Sequence, residues 1–314
     1  MTRLLHVCDF HGSSLLWSKL LKATSHYEAD VVLVCGDLTG KAIVPIVEQQ
    51  EGWFYNLWGK EERITSEAEL EETKHRLSAR GLYQYITTID KVRRLQKDPR
   101  AVDAIFVRLM KERIVEWLAD VPKEVSSKVK FVVSPGNDDI FDIDSILEES
   151  SHIIYPLGRV VDLDDRHKLI SCEWVNDTPW DTPRECNERQ LKEKLVRELK
   201  RVSDYNNLLC NFHAPPYNTH LDWGPTLDSD LRPKAEFGSA VMQHVGSKAV
   251  REAIEEFQPL ITFHGHIHES GGFDRIGRTY CFNPGSEYES GVLRGYLLEL
   301  PEDSQKLEFI RVEI

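Results

Sequence analysis

No apolar run in this chain approaches the roughly 18 residues that a membrane-spanning helix requires, so no membrane association is expected. Cysteine is sparse: there are six, without a Cys-x-x-Cys spacing, and several sit inside apolar runs, as expected of reduced, buried thiols. Basic residues are in deficit, 39 Lys+Arg against 52 Asp+Glu for a net charge of −13. That balance opposes binding along a nucleic-acid polymer, which relies on clustered basic side chains. It leaves small phosphates open, because bound cations reverse the sign of a local field. Internal repeats and low-complexity tracts are also missing. The opening segment, Met1-Thr2-Arg3-Leu4-Leu5-His6-Val7-Cys8-Asp9, has too short an apolar part for a secretory signal, which makes the cytoplasm the expected address.

What is present is a recurring pattern. Five short clusters of metal-binding residue types each follow an apolar, strand-like run: Asp9 with His11, Asp37, Asn137, His213, and His266 with His268. The preceding runs are Leu4-Leu5-His6-Val7-Cys8, Val31-Val32-Leu33-Val34-Cys35, Phe131-Val132-Val133-Ser134, Leu208-Leu209-Cys210-Asn211-Phe212 and Leu260-Ile261-Thr262-Phe263. Short runs of this kind read as buried strands. Ligands just past the carboxyl ends of such strands converge at one edge of a sheet. At 314 residues the chain suits one large domain or two modest ones.

Residues 1–40 read strand, helix, strand, with a crossover helix over 13–21. Residues 41–127 are long, charged and mainly helical in pattern. Ser66 and Glu69 fit a capping box, and Asp98-Pro99 a helix start. Val102, Ile105, Leu109 and Leu118 form a partial apolar stripe, with Pro122 expected beyond its end. Trp53, Phe54, Tyr55 and Trp58 are expected to seal this segment onto the main body, with a lid or a homodimer contact as the sharper alternative. A helix is expected over 144–149, strands over 160–163 and 168–172, and a charged helix over 188–200. A helix over 245–257 carries Val250, Ile254 and Phe257. Strands follow over 279–282, 292–300 and 307–312.

Asp-x-His pairs a hard carboxylate with a borderline imidazole, a mixture suited to Mn, Fe, Zn or Ni rather than Ca or a lone Mg. A shared Asp is the simplest bridge between two divalent ions about 3.5–4 Å apart. Such a pair lowers the pKa of a bridging water, and the hydroxide can attack phosphorus in line with the leaving oxygen. Hydrolysis of a small phosphorylated substrate is therefore the leading expectation.

Residue by residue, the pattern resembles the calcineurin-like metallophosphoesterases, whose order is Asp-x-His, Gly-Asp, Gly-Asn-His, a lone His and Gly-His-x-His. The matching elements are Asp9-Phe10-His11, Gly36-Asp37, Gly136-Asn137-Asp138, His213 and Gly265-His266-Ile267-His268. The flanks His213-Ala214-Pro215-Pro216 and Asn283-Pro284-Gly285-Ser286 are family-like too. The resemblance implies one metal on Asp9, His11, Asp37 and His268, and another on Asp37, Asn137, His213 and His266. It implies an α/β fold, a four-layered α/β/β/α sandwich of two mixed sheets. On this reading residues 1–314 form a single domain, with 41–127 as a mainly helical insertion that could cap the site or dimerise.

The resemblance places Asp37, Asn137, Asp138 and His213 at the chemistry, with phosphodiesters narrowly ahead of monoesters. A scaffold that uses its metal edge to bind a protein partner is the reading from another class. Tyr217, His220, Glu287 and Tyr288 are candidate substrate contacts, each weighed evenly against an ordinary loop role. Asp222 belongs with them. His264 is expected behind the ligands or in the core. The stretch Gly36–Ala42 echoes a phosphate loop but is one residue short. Asp138 departs from the family, which has His there. An ordinary aspartate, with a pKa near 4, is ionised at neutral pH and cannot donate a proton. Two adjacent cations are expected to lower it further, leaving Asp138 to orient a histidine or a water.

Overall fold

The computed structural model describes residues 1–301 and 307–314. Every apolar run that precedes a ligand cluster forms a strand. The first half of the chain contains β1 (Thr2–Val7), β2 (Val31–Cys35), β3 (Ala42–Gln49), β4 (Gly52–Leu57), β5 (Lys60–Ile64), β6 (Leu82–Thr88) and β7 (Lys130–Ser134). The second half contains β8 (Val161–Asp162), β9 (Lys168–Cys172), β10 (Leu208–Phe212), β11 (Ile261–Phe263), β12 (Gly272–Ile276), β13 (Thr279–Asn283), β14 (Arg294–Leu300) and β15 (Glu308–Glu313). The helices are α1 (Ser14–His26), α2 (Glu67–Ala79), α3 (Ile89–Leu95), α4 (Pro99–Glu124), α5 (Asp144–Glu149), α6 (Glu188–Leu199) and α7 (Lys248–Phe257).

Two mixed sheets lie face to face. The first runs β15-β14-β1-β2-β7, with β1, β2 and β7 parallel. The second runs β12-β13-β11-β10-β9-β8, with its four inner strands parallel. Alternation along each strand divides the core into three layers. Leu5, Val7, Val32, Val34, Phe131 and Val133 pack outward beneath α1, α4 and α5. Leu4, Val31, Leu33 and Val132 point inward and meet Leu169, Leu209, Ile261, Phe263 and Phe282 of the facing sheet. Ile170, Cys172, Leu208, Cys210 and Phe212 face outward under α6 and α7. The result is α/β/β/α. All six cysteines are free and buried. Among the described residues, no helix is long and apolar enough to cross a membrane.

Residues 41–127 differ from the expectation in three ways. More of them lie in helices than in strands, yet they also build a four-stranded sheet, β5-β4-β3-β6. Second, the aromatic cluster does not seal the segment onto the main body. Tyr55 and Trp53 pack in the segment's own core with Val44, Ile46, Ile64, Leu70 and Leu77. The seam is made instead by α4. Trp117 stacks on Trp17 of α1 at 4.8 Å between ring centroids, and Arg113 donates to the Gly12 carbonyl at 2.8 Å. Third, Pro122 stands inside the last turn of α4. Ile114, Trp117, Leu118 and Val121 are buried in the main core, and this packing holds the turn despite the missing amide donor. Asp98 caps α4 ahead of Pro99 as expected. Ser66 caps α2, but Glu69 accepts from the Thr65 amide at 2.7 Å, one residue short of a regular box.

Candidate metal centre

The ligand-type residues meet at one end of the two sheets, each just beyond its strand. Nitrogen and oxygen atoms of Asp9, His11, Asp37 and His268 lie within 4.8 Å of one another, and so do those of Asp37, His213 and His266. The two groups share Asp37. Asn137 joins the second, its Oδ1 3.1 Å from His213 Nε2. Asp9, His11, Asp37 and His266 adopt positive φ angles of 54°, 43°, 50° and 67°. Left-handed backbone is uncommon outside glycine, and its concentration at one place marks a site where local strain is held by the surroundings.

The glycines before the ligands have a steric reason. Gly36 has φ 91°, and a Cβ there would meet His213 Nδ1 at 2.5 Å. A Cβ on Gly136 would meet Asp37 Oδ1 at 2.3 Å and His213 Nε2 at 2.7 Å. Only bare backbone lets the strand ends close to this distance.

The donor set fits divalent ions. His213 Nδ1 faces the Cys35 carbonyl at 2.8 Å, which turns Nε2 toward Asp37 Oδ2 at 3.4 Å. The Nε2 atoms of His11 and His268 face each other at 3.0 Å, an arrangement suited to two lone pairs aimed at one point. Asp9 Oδ2 is buried without a hydrogen-bond partner. Burial keeps His11 well below the imidazole range and pushes His266 down to about 3, so both present neutral nitrogens, the form that binds metal. Burial works against charge on Asp37 and His213 alike. Their mutual attraction nonetheless holds Asp37 well below the carboxylate range and His213 well above that of histidine.

Asp138 is shifted upward by the chain's own groups. Burial and the neighbouring Asp37 carboxylate push it up to about 7, outweighing Lys41, whose Nζ lies 2.6 Å from Asp138 Oδ2. The chain's own groups thus shift it upward, whereas the expected lowering came from cations alone. Its backbone amide donates to Asp37 Oδ1 at 3.0 Å. Burial also works against charge on Lys41, yet Asp138 and Asp37 raise its pKa and keep the ammonium ionised.

Several positioning residues are invisible in the sequence pattern. Asp139 is fully buried and accepts from the Leu38, Thr39 and Gly136 amides at 2.8–2.9 Å and from the Thr39 hydroxyl at 2.7 Å. It staples the Gly36-Asp37 loop to the Gly136-Asn137 loop. Thr182 Oγ1 accepts from Asn137 Nδ2 at 2.9 Å, fixing which face of the amide carries the oxygen. Buried Arg184 holds the same loop through the Asp139 carbonyl at 2.9 Å and Asp144 at 2.6 Å. His264 sits behind His213, its Nδ1 2.8 Å from the Phe212 carbonyl and 2.9 Å from that of Ala214.

Of the four candidate substrate contacts, Tyr288 lies at the site, its ring 4.7 Å from that of His11 and 5.9 Å from that of His268. Glu287 pairs with Arg294. Tyr217 packs edge-on to His244 at 5.8 Å, and the exposed His220 donates its amide to Asp274 at 3.0 Å. Neither makes a hydrogen bond or ring contact with the Asp/His cluster among the described residues. Asp222 is a loop clasp, accepting from the Asn218, Thr219 and Gly246 amides.

No family model matches the chain. The uncharacterized protein MJ1162 of Methanocaldococcus jannaschii is 33% identical to it over 173 residues, which are 54% of this chain and 69% of that protein. The chain belongs to the family of MJ1162. Among solved structures, one crystal structure aligns with this MJ1162-family protein at a TM-score of 0.54 and 15% identity, covering 98% of both chains. TT1561 of Thermus thermophilus aligns at 0.51 and 13%, covering 98% of this chain and 97% of its own. A novel archaeal phosphodiesterase aligns at 0.40 and 11%, over 99% of this chain and 100% of that one. The MJ1162-family protein shares the α/β fold of these structures and carries a buried Asp/His cluster consistent with a metal site.

Proposed function

We propose that this protein is a dinuclear metal-dependent phosphoesterase that prefers phosphodiesters. The observation that carries the reading is the pair of Asp/His groups joined at Asp37. Asp9, His11, Asp37 and His268 would hold one divalent ion, and Asp37, Asn137, His213 and His266 the other, with Mn, Fe, Zn or Ni suited to the mixed donors. Such ions supply Lewis-acid stabilisation of a phosphoryl group and a nucleophile at neutral pH.

The chain's own residues orient and neutralise. Thr182 aims the Asn137 amide, Arg184 holds the loop that carries it, and the Cys35 carbonyl aims His213. Lys41 brings a cation, through its contact with Asp138, to the position where the calcineurin-like metallophosphoesterases that the sequence resembles have histidine. That ammonium favours negative charge on a departing oxygen but is a poor acid at neutral pH, so esters with good leaving groups should react best. Residues 1–314 are read as one domain, with 41–127 standing over the site as a cap.

Metal content should be measured together with turnover of bis-p-nitrophenyl phosphate and p-nitrophenyl phosphate in Mn²⁺, Ni²⁺, Zn²⁺ and Mg²⁺. Two bound ions, faster diester turnover and loss of both properties in Asp37→Asn are expected. Absence of turnover with every metal would sink the enzymatic reading.

A further inference from the structure

Beside the Asp/His cluster lies a cavity of about 280 Å³, near the small end for ligand pockets. His11 and Tyr288 line it from the main body, and Lys41, Trp58 and Arg80 from residues 41–127. Trp58 occupies the tight turn between β4 and β5 with φ 51° and is 71% exposed. A tryptophan held exposed and in left-handed backbone is costly twice over, once in strain and once in unburied apolar surface. The Arg80 guanidinium stands 4.4 Å from its ring centroid. Arg80 has no carboxylate partner among the described residues, in a chain whose net charge is −13. Glu289, whose carboxylate lies 3.4 Å from Tyr288 Oη, is the acidic residue of the lining.

We propose that this cavity receives the non-reacting arm of the ester, with a flat aromatic ring against Trp58 and an anionic group on Arg80: an arm of nucleotide type. An indole with a guanidinium over one face can accept a π-system on its other face and a phosphate on the guanidinium, a combination that neither offers alone. Lys41, already engaged by Asp138 at 2.6 Å, and His11 both line the cavity, so the subsite adjoins the reacting centre. The inference rests on the phosphoesterase reading for the position of the reacting phosphorus, but the binding it describes can be measured without turnover.

The test is calorimetric titration of the Mn²⁺-loaded full chain with adenosine 5′-monophosphate, adenosine and inorganic phosphate. The monophosphate should bind about tenfold more tightly than inorganic phosphate, the gain that one base stack provides. Trp58→Ala should bring that ratio toward one and Arg80→Ala should weaken both phosphates about tenfold, while Trp58→Phe, which keeps a ring, should retain most of the ratio. Circular dichroism establishes that the variants are folded. A wild-type ratio near one overturns the proposal, as does a ratio that Trp58→Ala leaves unchanged or phosphate binding that Arg80→Ala leaves unchanged. A Trp58→Ala protein altered only in self-association does so too. Absent turnover with the ratio responding as described removes the phosphoesterase reading and leaves the subsite. Turnover with an unresponsive ratio does the reverse.

Discussion

Lys41 Nζ lies 2.6 Å from Asp138 Oδ2, and the same oxygen is 3.6 Å from His11 Nδ1. A side chain from the start of residues 41–127 is thereby linked through Asp138 to a candidate metal ligand. Lys41→Met should lower kcat/KM on bis-p-nitrophenyl phosphate by about a hundredfold to a thousandfold, the range for loss of one preorganised donor to developing charge. Lys41→Arg should recover part of it. Across aryl phosphodiesters the Met variant should depend more steeply on leaving-group pKa. Equal losses across the series would show that Lys41 acts on binding alone.

Gly136 offers a steric test of the shared ligand. A Cβ there meets Asp37 Oδ1 at 2.3 Å, so Gly136→Ala must displace Asp37, His213 or both. Metal affinity should fall roughly tenfold or more, while overpacking costs about 1–3 kcal/mol of stability. Competition with a chelator reads the first and denaturant melts the second.

Asp139→Asn probes the staple between two ligand loops. An amide oxygen replaces one acceptor, but the new NH₂ group confronts donors that formerly faced a carboxylate. A loss of about 2–3 kcal/mol is expected from hydrogen bonds to a charged group. Metal stoichiometry should also drop, because the Gly36-Asp37 and Gly136-Asn137 loops lose their common anchor. Unchanged stoichiometry would mean that ion binding alone can register the loops.

Acid should weaken the fold through His6. Burial lowers this histidine from 6.5 to about 3, so the unfolded chain takes up a proton there that the folded chain refuses. Its contribution is fully present above pH 6.5 and is lost progressively as pH falls toward about 3. At pH 5 the penalty is about 2 kcal/mol, from 1.36 kcal/mol per pH unit. His6→Gln, which stays neutral and keeps a donor for the His264 carbonyl, should melt with a shallower dependence between pH 7 and 5. Parallel pH profiles for the two proteins would assign the acid sensitivity elsewhere.

The main fold was legible because its parallel strands are buried on both faces. Val31–Cys35 is apolar at every position and buried at every position, so no alternation was needed to find it. The candidate ligands were legible because each follows such a strand within a few residues. The sheet within residues 41–127 was hidden for opposite reasons. The Lys60–Ile64 strand reads Lys-Glu-Glu-Arg-Ile and is largely exposed at an edge. Ala42–Gln49 contains Pro45, a residue that argues against a strand, although pairing with Gly52–Leu57 reaches only Val47, Glu48 and Gln49. Asp139, Thr182 and Arg184 were hidden because their roles arise from contacts about 40 to 100 positions away, as in Thr39 with Asp139 and Thr182 with Asn137. No local pattern encodes such distances.

The sharing of Asp37 has a consequence for biosynthesis. One half of the centre needs His268 and the other His266, although their first members are Asp9 and Asp37. An emerging chain that has reached only β10 therefore owns most of the donors and neither completed half. On the proposed metal reading, a complete donor set exists only once the second sheet has docked against the first, so binding of an ion would report that residues 9 and 268 have found each other.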